Sequence, residues 1–347
     1  MSTPAPHKLT DHKYLIFDVY GTLVDWETGI HNALKPLLTR FRSASNWSRR
    51  EVLDGFLSIE LDIQAQQPKM LYSDLLAKAH EALEARLLAV EGAAVRGIDE
   101  TKIATLDGHP PALSVADKPG EPSAVKLDTE PTPDAHKIFG SSIKQWAPFP
   151  DSSEALHELS KHFHLIVLSN VDHASFAHTH TYLSEGSSPS PAITYDQQAP
   201  ALYSRPDPNP HPRDLWLPRK TPGSKSPFSL VLTAQDVGAY KPSVRGFLAA
   251  FEAIRSEPDL LVDPATGEVA AAPTIDDIKA KTLVVAQSLT HDHVPAKELG
   301  VCSVWIDRQG AVFRPSPPSD GKEFGWRWRF ETLGDLAKAV EDEVRAE

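Results

Sequence analysis

The amino-acid sequence predicts an α/β protein whose core is a doubly wound, mostly parallel sheet with a helical module inserted into it. Two observations predict this class. From about residue 148 onward, apolar strand-like runs alternate with amphipathic helical patterns, as in parallel sheets with crossover helices. Near the N-terminus, three helical patterns follow the first strand with no strand between them, which indicates a separate helical module.

The predicted strands are short and almost continuously apolar, as expected for strands that helices cover on both faces. YLIFDVY forms the first strand. The late segment GWRWRF mixes arginine and aromatic residues as nucleic-acid-binding segments do, but the acidic total favours a strand with its arginines exposed. Between the first strand and GWRWRF, four further strands are predicted in HLIVLSN, FSLVLTAQ, TLVVAQS and CSVWIDR.

These patterns divide the chain into an α/β core, residues 1–25 and 148–347, and a helical module, residues 26–147. The helices of the module are predicted in ETGIHNALKPLLTRF, SRREVLDGFLSIELDIQAQ and MLYSDLLAKAHEALEARLLAV. Two segments break the pattern: a polar insertion in the module at about 97–134 and a Pro/Ser-rich insertion in the core at 184–226. Both are expected to decorate the surface.

Composition and charge exclude several classes of partner. The chain has 347 residues and a net charge of −12, so no overall positive field attracts nucleic acid or an anionic membrane. No stretch is apolar and long enough to span a membrane, and the N-terminus has no apolar signal region. Cys302 is the single cysteine, which excludes an intrachain disulfide and indicates a reducing compartment. We therefore expect a soluble, cytoplasmic protein.

Four of the predicted strands end in side chains that carry chemistry. Asp18 follows the first strand, Ser169 ends the second, Lys241 follows the third and Asp292 follows the fourth. Residues beyond the carboxyl ends of parallel strands share one crevice, so we expect these side chains to meet. A carboxylate beside a fixed cation, a hydroxyl donor and a second carboxylate fits covalent catalysis through an aspartyl ester.

The same elements, in the same order, resemble the haloacid dehalogenase superfamily. DVYGTL at 18–23 is similar to its first motif, LSN at 168–170 to the second and YKP at 240–242 to the third, while Asp292 lies where the acidic fourth motif is expected. The helical module resembles the cap domain of that superfamily. The resemblance implies a Rossmann-like core with an inserted helical cap.

Tyr20 makes the sequence resemble one branch of that superfamily. Its phosphatases usually carry an aspartate two residues after the nucleophile, which protonates the leaving alcohol, and Tyr20 occupies that position here. Halide leaves without a proton, so cleavage of a carbon–halogen bond can dispense with this acid. The sequence resembles the L-2-haloacid dehalogenase branch, which implies hydrolysis of a 2-haloalkanoic acid, a small anionic molecule, to a 2-hydroxy acid.

The resemblance implies a catalytic role for five residues. Asp18 would displace halide and form an ester that water then hydrolyses. Lys241 would keep Asp18 ionised by pairing of opposite charges, and Asp292 would orient Lys241 and help the water. Thr22 and Ser169 would donate hydrogen bonds to the nucleophile or to the substrate carboxylate.

Substrate contacts are implied for three further residues. Tyr20 and Asn170 would line the substrate pocket, with Asn170 facing the departing halide. The branch places an arginine of the cap beside the halide, for which Arg49 or Arg50 is the candidate here. No metal or cofactor is required, because no phosphoryl charge has to be neutralised. Since members of the family often dimerise, a homodimer is a further expectation.

Several alternatives stay open at this point. The chain is compatible with a Mg²⁺-dependent phosphatase of small phosphate esters that tolerates Tyr20, and with a protein of this fold that binds a ligand without catalysis. Asp292 could instead cap the helix that follows it, and His291 and His293 on either side of it raise a metal site as another interpretation. His178 and His180 are expected in a solvent-facing turn.

Overall fold

The core of the protein is one sheet. The computed structural model describes residues 8–95, 133–190, 192–269, 272–308, 310–312 and 324–346. The strands of the sheet are β1 (Tyr14–Phe17), β2 (His164–Ser169), β3 (Phe228–Thr233), β4 (Thr282–Ala286), β5 (Cys302–Ile306) and β6 (Trp326–Phe330). They lie in the order β3-β2-β1-β4-β5-β6, and every neighbouring pair is parallel. The predicted α/β class is confirmed.

Helices cover this sheet and also form the insertion after β1. Five of the helices in the described part of the chain, α1 to α5, lie between β1 and β2; the others follow β2. Their bounds are α1 Trp26–Leu38, α2 Arg49–Gln66, α3 Tyr72–Val95, α4 Pro133–Gly140, α5 Ser152–Leu159, α6 His173–Glu185, α7 Ala234–Val237, α8 Arg245–Ser256, α9 Ile275–Ala280, α10 Val294–Glu298 and α11 Leu333–Arg345. None of the described helices is long and apolar enough to cross a membrane.

The strands differ in burial as their sequences predict. Every residue of β1 to β4 is buried, which agrees with continuous apolar runs covered on both faces. β6 lies at the edge of the sheet, where Arg327 and Arg329 are exposed and alternate with half-buried aromatic residues. The interpretation of GWRWRF as a late strand with exposed arginines is confirmed.

The insertion shares its core with one face of the sheet. Leu15 and Phe17 of β1 belong to a buried cluster that also contains Phe56 of α2 and Leu75 of α3. The alternate β1 residues belong to a second cluster, formed with helices α8 and α9 on the opposite face. The buried cluster thus continues from this face of the sheet into the inserted helices. The division of the chain at residues 25/26 and 147/148 stays a prediction.

The prediction of a solvent-facing turn around His178 and His180 is wrong. Both residues lie in α6 and are buried. Asp172 caps the start of this helix by accepting from the Ser175 N–H, and Gly186 ends it in a left-handed conformation with φ of 64°. Two ordinary helix signals thus flank the segment.

The prediction of surface decoration for residues 184–226 holds for most of the described residues of this segment, which are exposed or half-buried, but not for all of them. Tyr203 and Trp216 of this segment are buried, and the Trp216 carbonyl accepts from the Val231 N–H of β3 at 3.0 Å. The segment therefore contributes large apolar side chains to the core. The other predicted insertion, at about 97–134, falls outside the described residues, which resume at Pro133.

Candidate active site

Asp18 lies directly after β1, at the centre of the sheet. β1 pairs with β2 on one side and with β4 on the other, so Asp18 occupies the switch point at which doubly wound sheets bind ligands. Its Oδ2 accepts a hydrogen bond from Thr22 Oγ1 at 2.7 Å. Gly21 makes this turn possible because its φ of 101° is a conformation that favours glycine.

Lys241 connects the carboxylates of the site. Its Nζ donates to Asp18 Oδ1 at 2.6 Å, to Asp292 Oδ1 at 2.8 Å and to the Leu168 carbonyl at 3.0 Å, which uses all three ammonium donors. Burial alone would lower the pKa of Lys241, but the two carboxylates outweigh burial and raise it. Lys241 is therefore a permanent cation beside the candidate nucleophile.

Asn170 fixes the backbone of Lys241. Its Oδ1 accepts from the Lys241 N–H at 2.6 Å, and its Nδ2 donates to the Lys241 carbonyl at 3.2 Å. The two bonds link the end of β2 to the loop after β3. Asn170 also lines the cavity described below, while its contact with halide stays a prediction.

Asp292 is the second carboxylate of the site. It lies in a π-helical turn, Leu289–His293, and is buried. Burial raises the pKa of Asp292; Lys241 opposes this rise and the charge of Asp18 adds to it. Its Oδ2 makes no hydrogen bond within the described residues. The alternative that Asp292 caps the next helix is wrong, because α10 begins after His293 and has no side-chain cap.

Tyr20 and Ser169 have different positions relative to the site. Tyr20 lines the cavity, its hydroxyl is 3.0 Å from Thr179 Oγ1, and its ring packs edge-on against Trp146. Burial raises the pKa of Tyr20 well above its usual range, so the phenol keeps its proton at neutral pH. Ser169 is buried at the end of β2, and its Oγ makes no hydrogen bond within the described residues.

A cavity of about 490 Å³ lies between the strand ends and the inserted helices, a volume in the range of small-molecule sites. The core contributes Asp18, Tyr20, Asn170 and Lys241 together with the turn that holds Asp292. Helices α2 and α3 contribute Arg50, Leu57, Glu60, Leu61, Gln64 and Tyr72. Four of the five predicted catalytic residues, Asp18, Thr22, Lys241 and Asp292, thus form one hydrogen-bonded group at this cavity.

The structure does not bring Arg49 together with Asp18. Arg49 lines a smaller pocket of about 90 Å³, where its Nη2 donates to Thr28 Oγ1 at 3.0 Å and lies 3.6 Å from Glu27 Oε2. Successive residues of a helix point about 100° apart, so Arg50 lines the larger cavity instead. A halide contact by Arg49 therefore has no support from its position.

Glu60 is a cavity residue that the sequence interpretation missed. It is buried, and its Oε1 accepts from the Tyr72 hydroxyl at 2.9 Å and from Gln64 Nε2 at 3.0 Å. Burial raises the pKa of Glu60 to about 7, against the lowering effect of these two hydrogen bonds. A signal was present, because Glu60 follows Phe56 by four residues and Leu53 by seven, on the apolar face of α2.

Two further residues that support the nucleophile turn were also missed. Arg308 is buried and donates to the Thr22 carbonyl from Nε at 3.0 Å and from Nη2 at 2.8 Å. The backbone N–H of Gln287 donates to Thr22 Oγ1 at 2.9 Å. These contacts join segments far apart in the chain, so no local sequence pattern indicates them.

The histidines beside Asp292 have separate environments. His293 is buried, with Nδ1 2.7 Å from Ser303 Oγ and Nε2 3.0 Å from the Ala286 carbonyl. His291 lines the cavity, and its Nδ1 lies 3.0 Å from Ser288 Oγ. Within the described ranges no group of three or more His, Cys, Asp or Glu residues is arranged to hold a metal ion. Independence of metal stays a prediction.

Comparison with known proteins gives structural neighbours but no sequence relatives. No family model matches the chain, and no curated protein matches it. The L-2-haloacid dehalogenase PA0810 is similar at 16% identity with a TM-score of 0.51, over 95% of this chain and 99% of that one.

A second neighbour is the L-2-haloacid dehalogenase of Xanthobacter autotrophicus with chloropropionic acid covalently bound. It is similar at 13% identity with a TM-score of 0.50, over 95% of this chain and 98% of that one. At such identities the likeness concerns the fold. The protein therefore shares the fold of these two dehalogenases, with an all-parallel α/β core and helices inserted after its first strand, as its sequence predicts.

Proposed function

We propose that the protein hydrolyses the carbon–halogen bond of a 2-haloalkanoic acid through an ester on Asp18. The observation that carries the proposal is the environment of Asp18. Its side chain faces the cavity and accepts hydrogen bonds from Lys241 and Thr22. Two residues later the chain has Tyr20 instead of a second acid. The covalent chloropropionic acid complex of the Xanthobacter enzyme supports an ester mechanism in this fold.

The first step is displacement of halide. A carboxylate oxygen of Asp18 attacks the carbon that carries the halogen; the new carbon–oxygen bond forms while the carbon–halogen bond breaks, and halide leaves with the bonding electrons. Lys241 Nζ holds the side chain of Asp18 in place through its hydrogen bond to Oδ1 at 2.6 Å. No proton has to reach the leaving group, which agrees with a neutral Tyr20 at the position of the usual acid.

The second step is hydrolysis of the ester. Water attacks the carbonyl carbon of the Asp18 ester, the acyl carbon–oxygen bond breaks, the product oxygen takes one proton and the other is released. Esterification removes the charge of Asp18, so Lys241 then faces Asp292 alone and favours its ionised form. The Oδ2 of Asp292, which has no donor among the described residues, is the free acceptor for the proton of water.

Halide release from the two enantiomers of 2-chloropropionate tests this proposal. We expect the wild type to release chloride from one of them, and Asp18→Asn to reduce the rate by about a thousand-fold or more. Asp276→Asn is the matched control, because the side chain of Asp276 is 92% exposed in α9, and it should keep full activity.

The covalent step is tested by one turnover in water enriched in ¹⁸O. The heavy oxygen should enter the Asp18 side chain, and the first hydroxy acid formed should carry the light oxygen of Asp18. Heavy oxygen that appears directly in the product would contradict the ester.

Two other outcomes would favour the alternative functions. Turnover of phosphate esters that a chelator abolishes, without halide release from haloacids, would favour the phosphatase. No turnover of haloacids or of phosphate esters would favour a ligand-binding protein.

A further inference from the structure

Glu60 is an acid in the cavity wall that the two catalytic steps do not use. We propose that Glu60, in its protonated form, donates a hydrogen bond to the carboxylate of the substrate. This inference rests on the proposed function, whose substrate is an anion. Glu60 lies in the wall formed by α2, whereas Asp18 and Lys241 lie in the wall formed by the core.

The hydrogen bonds of Glu60 indicate which oxygen carries the proton. Oε1 already accepts from Tyr72 at 2.9 Å and from Gln64 at 3.0 Å, whereas Oε2 makes no hydrogen bond within the described residues. A protonated carboxyl group has one O–H donor. Because two donors converge on Oε1, the proton belongs on Oε2, where a substrate acceptor completes the missing bond.

The charges around Glu60 favour the protonated form. Tyr72 of α3 and Tyr240, after β3, are neutral phenols, and Arg50 of α2 pairs with Asp54 at 3.4 Å with a side chain 68% exposed. Within the described residues no cation forms a salt bridge with Glu60, and burial raises its pKa to about 7. The opposite wall carries the titratable residues Asp18, Lys241, His291 and Asp292.

A neutral carboxyl group is suited to bind a carboxylate. The hydrogen bond between them is charge-assisted, and such bonds are about twice as strong as neutral ones. An ionised Glu60 would instead repel the substrate. The cavity should therefore bind a small carboxylate more weakly as the pH rises through the pKa of Glu60, even though the ligand itself stays ionised.

Isobutyrate is a suitable probe because it has the shape of 2-chloropropionate and no leaving group. We expect calorimetry to show that the wild type binds isobutyrate at least about ten-fold more weakly at about pH 8.5 than at about pH 6. Glu60→Gln keeps an N–H donor but cannot ionise, so its affinity should change with pH much less than that of the wild type. The change that remains is the contribution of Asp292, the other cavity acid with a raised pKa, and the double variant with Asp292→Asn should remove it. Neutral isobutyramide should bind without this pH dependence in either protein.

Two further variants make the test specific. Glu84→Gln alters another buried glutamate of the inserted helices, one that pairs with Arg40 and does not line the cavity, and it should keep the wild-type pH dependence. Tyr72→Phe removes a donor that lowers the pKa of Glu60, so it should move the midpoint of isobutyrate binding to higher pH. This second variant tests the proposal if Glu60→Gln does not fold.

The outcomes separate this inference from the proposed function. The inference would be overturned if isobutyrate binding to Glu60→Gln depended on pH as it does in the wild type. It would also be overturned if Arg50→Gln lost isobutyrate binding while Glu60→Gln had no effect on it. If the isobutyrate pattern holds while no haloacid releases halide, carboxylate recognition by Glu60 stands and the dehalogenase proposal fails. If halide is released but Glu60→Gln leaves the pH profile of KM unchanged, only the inference fails.

Discussion

Lys241 shows at the scale of one residue why this carboxylate cluster can be buried. Transfer of an ion from water to the protein interior costs several kcal/mol, which pairing repays only in good geometry. Lys241 provides that geometry with three bonds of 2.6 to 3.0 Å to Asp18, Asp292 and Leu168. Two carboxylates still share one cation, and the raised pKa of Asp292 reduces this excess negative charge.

We predict that Lys241→Met lowers halide release by about a hundred-fold or more. It should also lower the free energy of unfolding near neutral pH by about 3–5 kcal/mol, because two buried carboxylates lose their cation. The stability loss should be smaller at mildly acidic pH, where Asp292 takes up a proton. Urea unfolding at both pH values measures the effect, and the double variant with Asp292→Asn should recover part of the stability. A single variant as stable as the wild type at neutral pH would contradict the prediction.

A second prediction concerns the hydroxyl of Thr22. Thr22→Val removes the donor to Asp18 and the acceptor of the Gln287 N–H, so kcat should fall about ten-fold. The free energy of unfolding should fall by about 1–3 kcal/mol, because a buried N–H is left unpaired. Thr22→Ser keeps the hydroxyl and should stay within about two-fold of the wild-type kcat. A loss in Thr22→Ser as large as the loss in Thr22→Val would contradict a specific role of the hydroxyl.

The residues at the strand ends could be predicted from the sequence because the topology decides where they lie. Asp18, Lys241 and Asp292 each follow an apolar run, and parallel strands bring such positions to one edge of the sheet. The strand topology does not place Arg49 and Glu60. The apolar periodicity of α2 indicates that Glu60 points inward, but which cavity or pocket each side chain lines is set by contacts of α2 with other elements.

Helix α6 and the segment after it show, at the scale of elements, where sequence patterns are insufficient. The predicted strands and the predicted helices with clear apolar periodicity were all found. By contrast, the face of α6 that packs inward includes His178 and His180, which a polarity pattern assigns to solvent. Burial is possible because both ring nitrogens of His180 have partners, the Tyr203 carbonyl at 2.8 Å and Ser226 Oγ at 2.7 Å.

We predict that Trp216→Ala lowers the free energy of unfolding by about 3–5 kcal/mol, as expected for the loss of a large buried side chain. Trp216 lies in a segment of surface-like composition, yet it packs against Phe176 and His180 of α6. Tyr195→Ala is the matched control, because the Tyr195 side chain belongs to the same segment and is 55% exposed. Urea unfolding should show less than about 0.5 kcal/mol for this control. Similar losses for the two variants would contradict a core role of Trp216.

At the scale of the whole molecule, several buried histidines make stability depend on pH. Burial lowers the pKa of His80, His178, His180 and His293 from 6.5 to about 4. Between these values the unfolded chain binds protons that the folded chain does not. This contribution to stability is therefore complete above about pH 6.5 and is lost as the pH falls towards 4. The raised pKa values of Glu60 and Asp292 have the opposite effect, because these two groups make the protein less stable as the pH rises.

We predict that His180→Gln reduces the slope of the free energy of unfolding against pH by about 1 kcal/mol per pH unit between about pH 4.5 and 6. The slope falls because one group no longer takes up a proton on unfolding. Urea unfolding at several pH values gives this slope. Ser226→Ala is the control, since it removes a hydrogen-bond partner of the same ring at 2.7 Å and leaves the titrating group in place. It should lower stability while keeping the wild-type slope. If both variants change the slope equally, or neither does, protonation of His180 does not drive the loss of stability in acid.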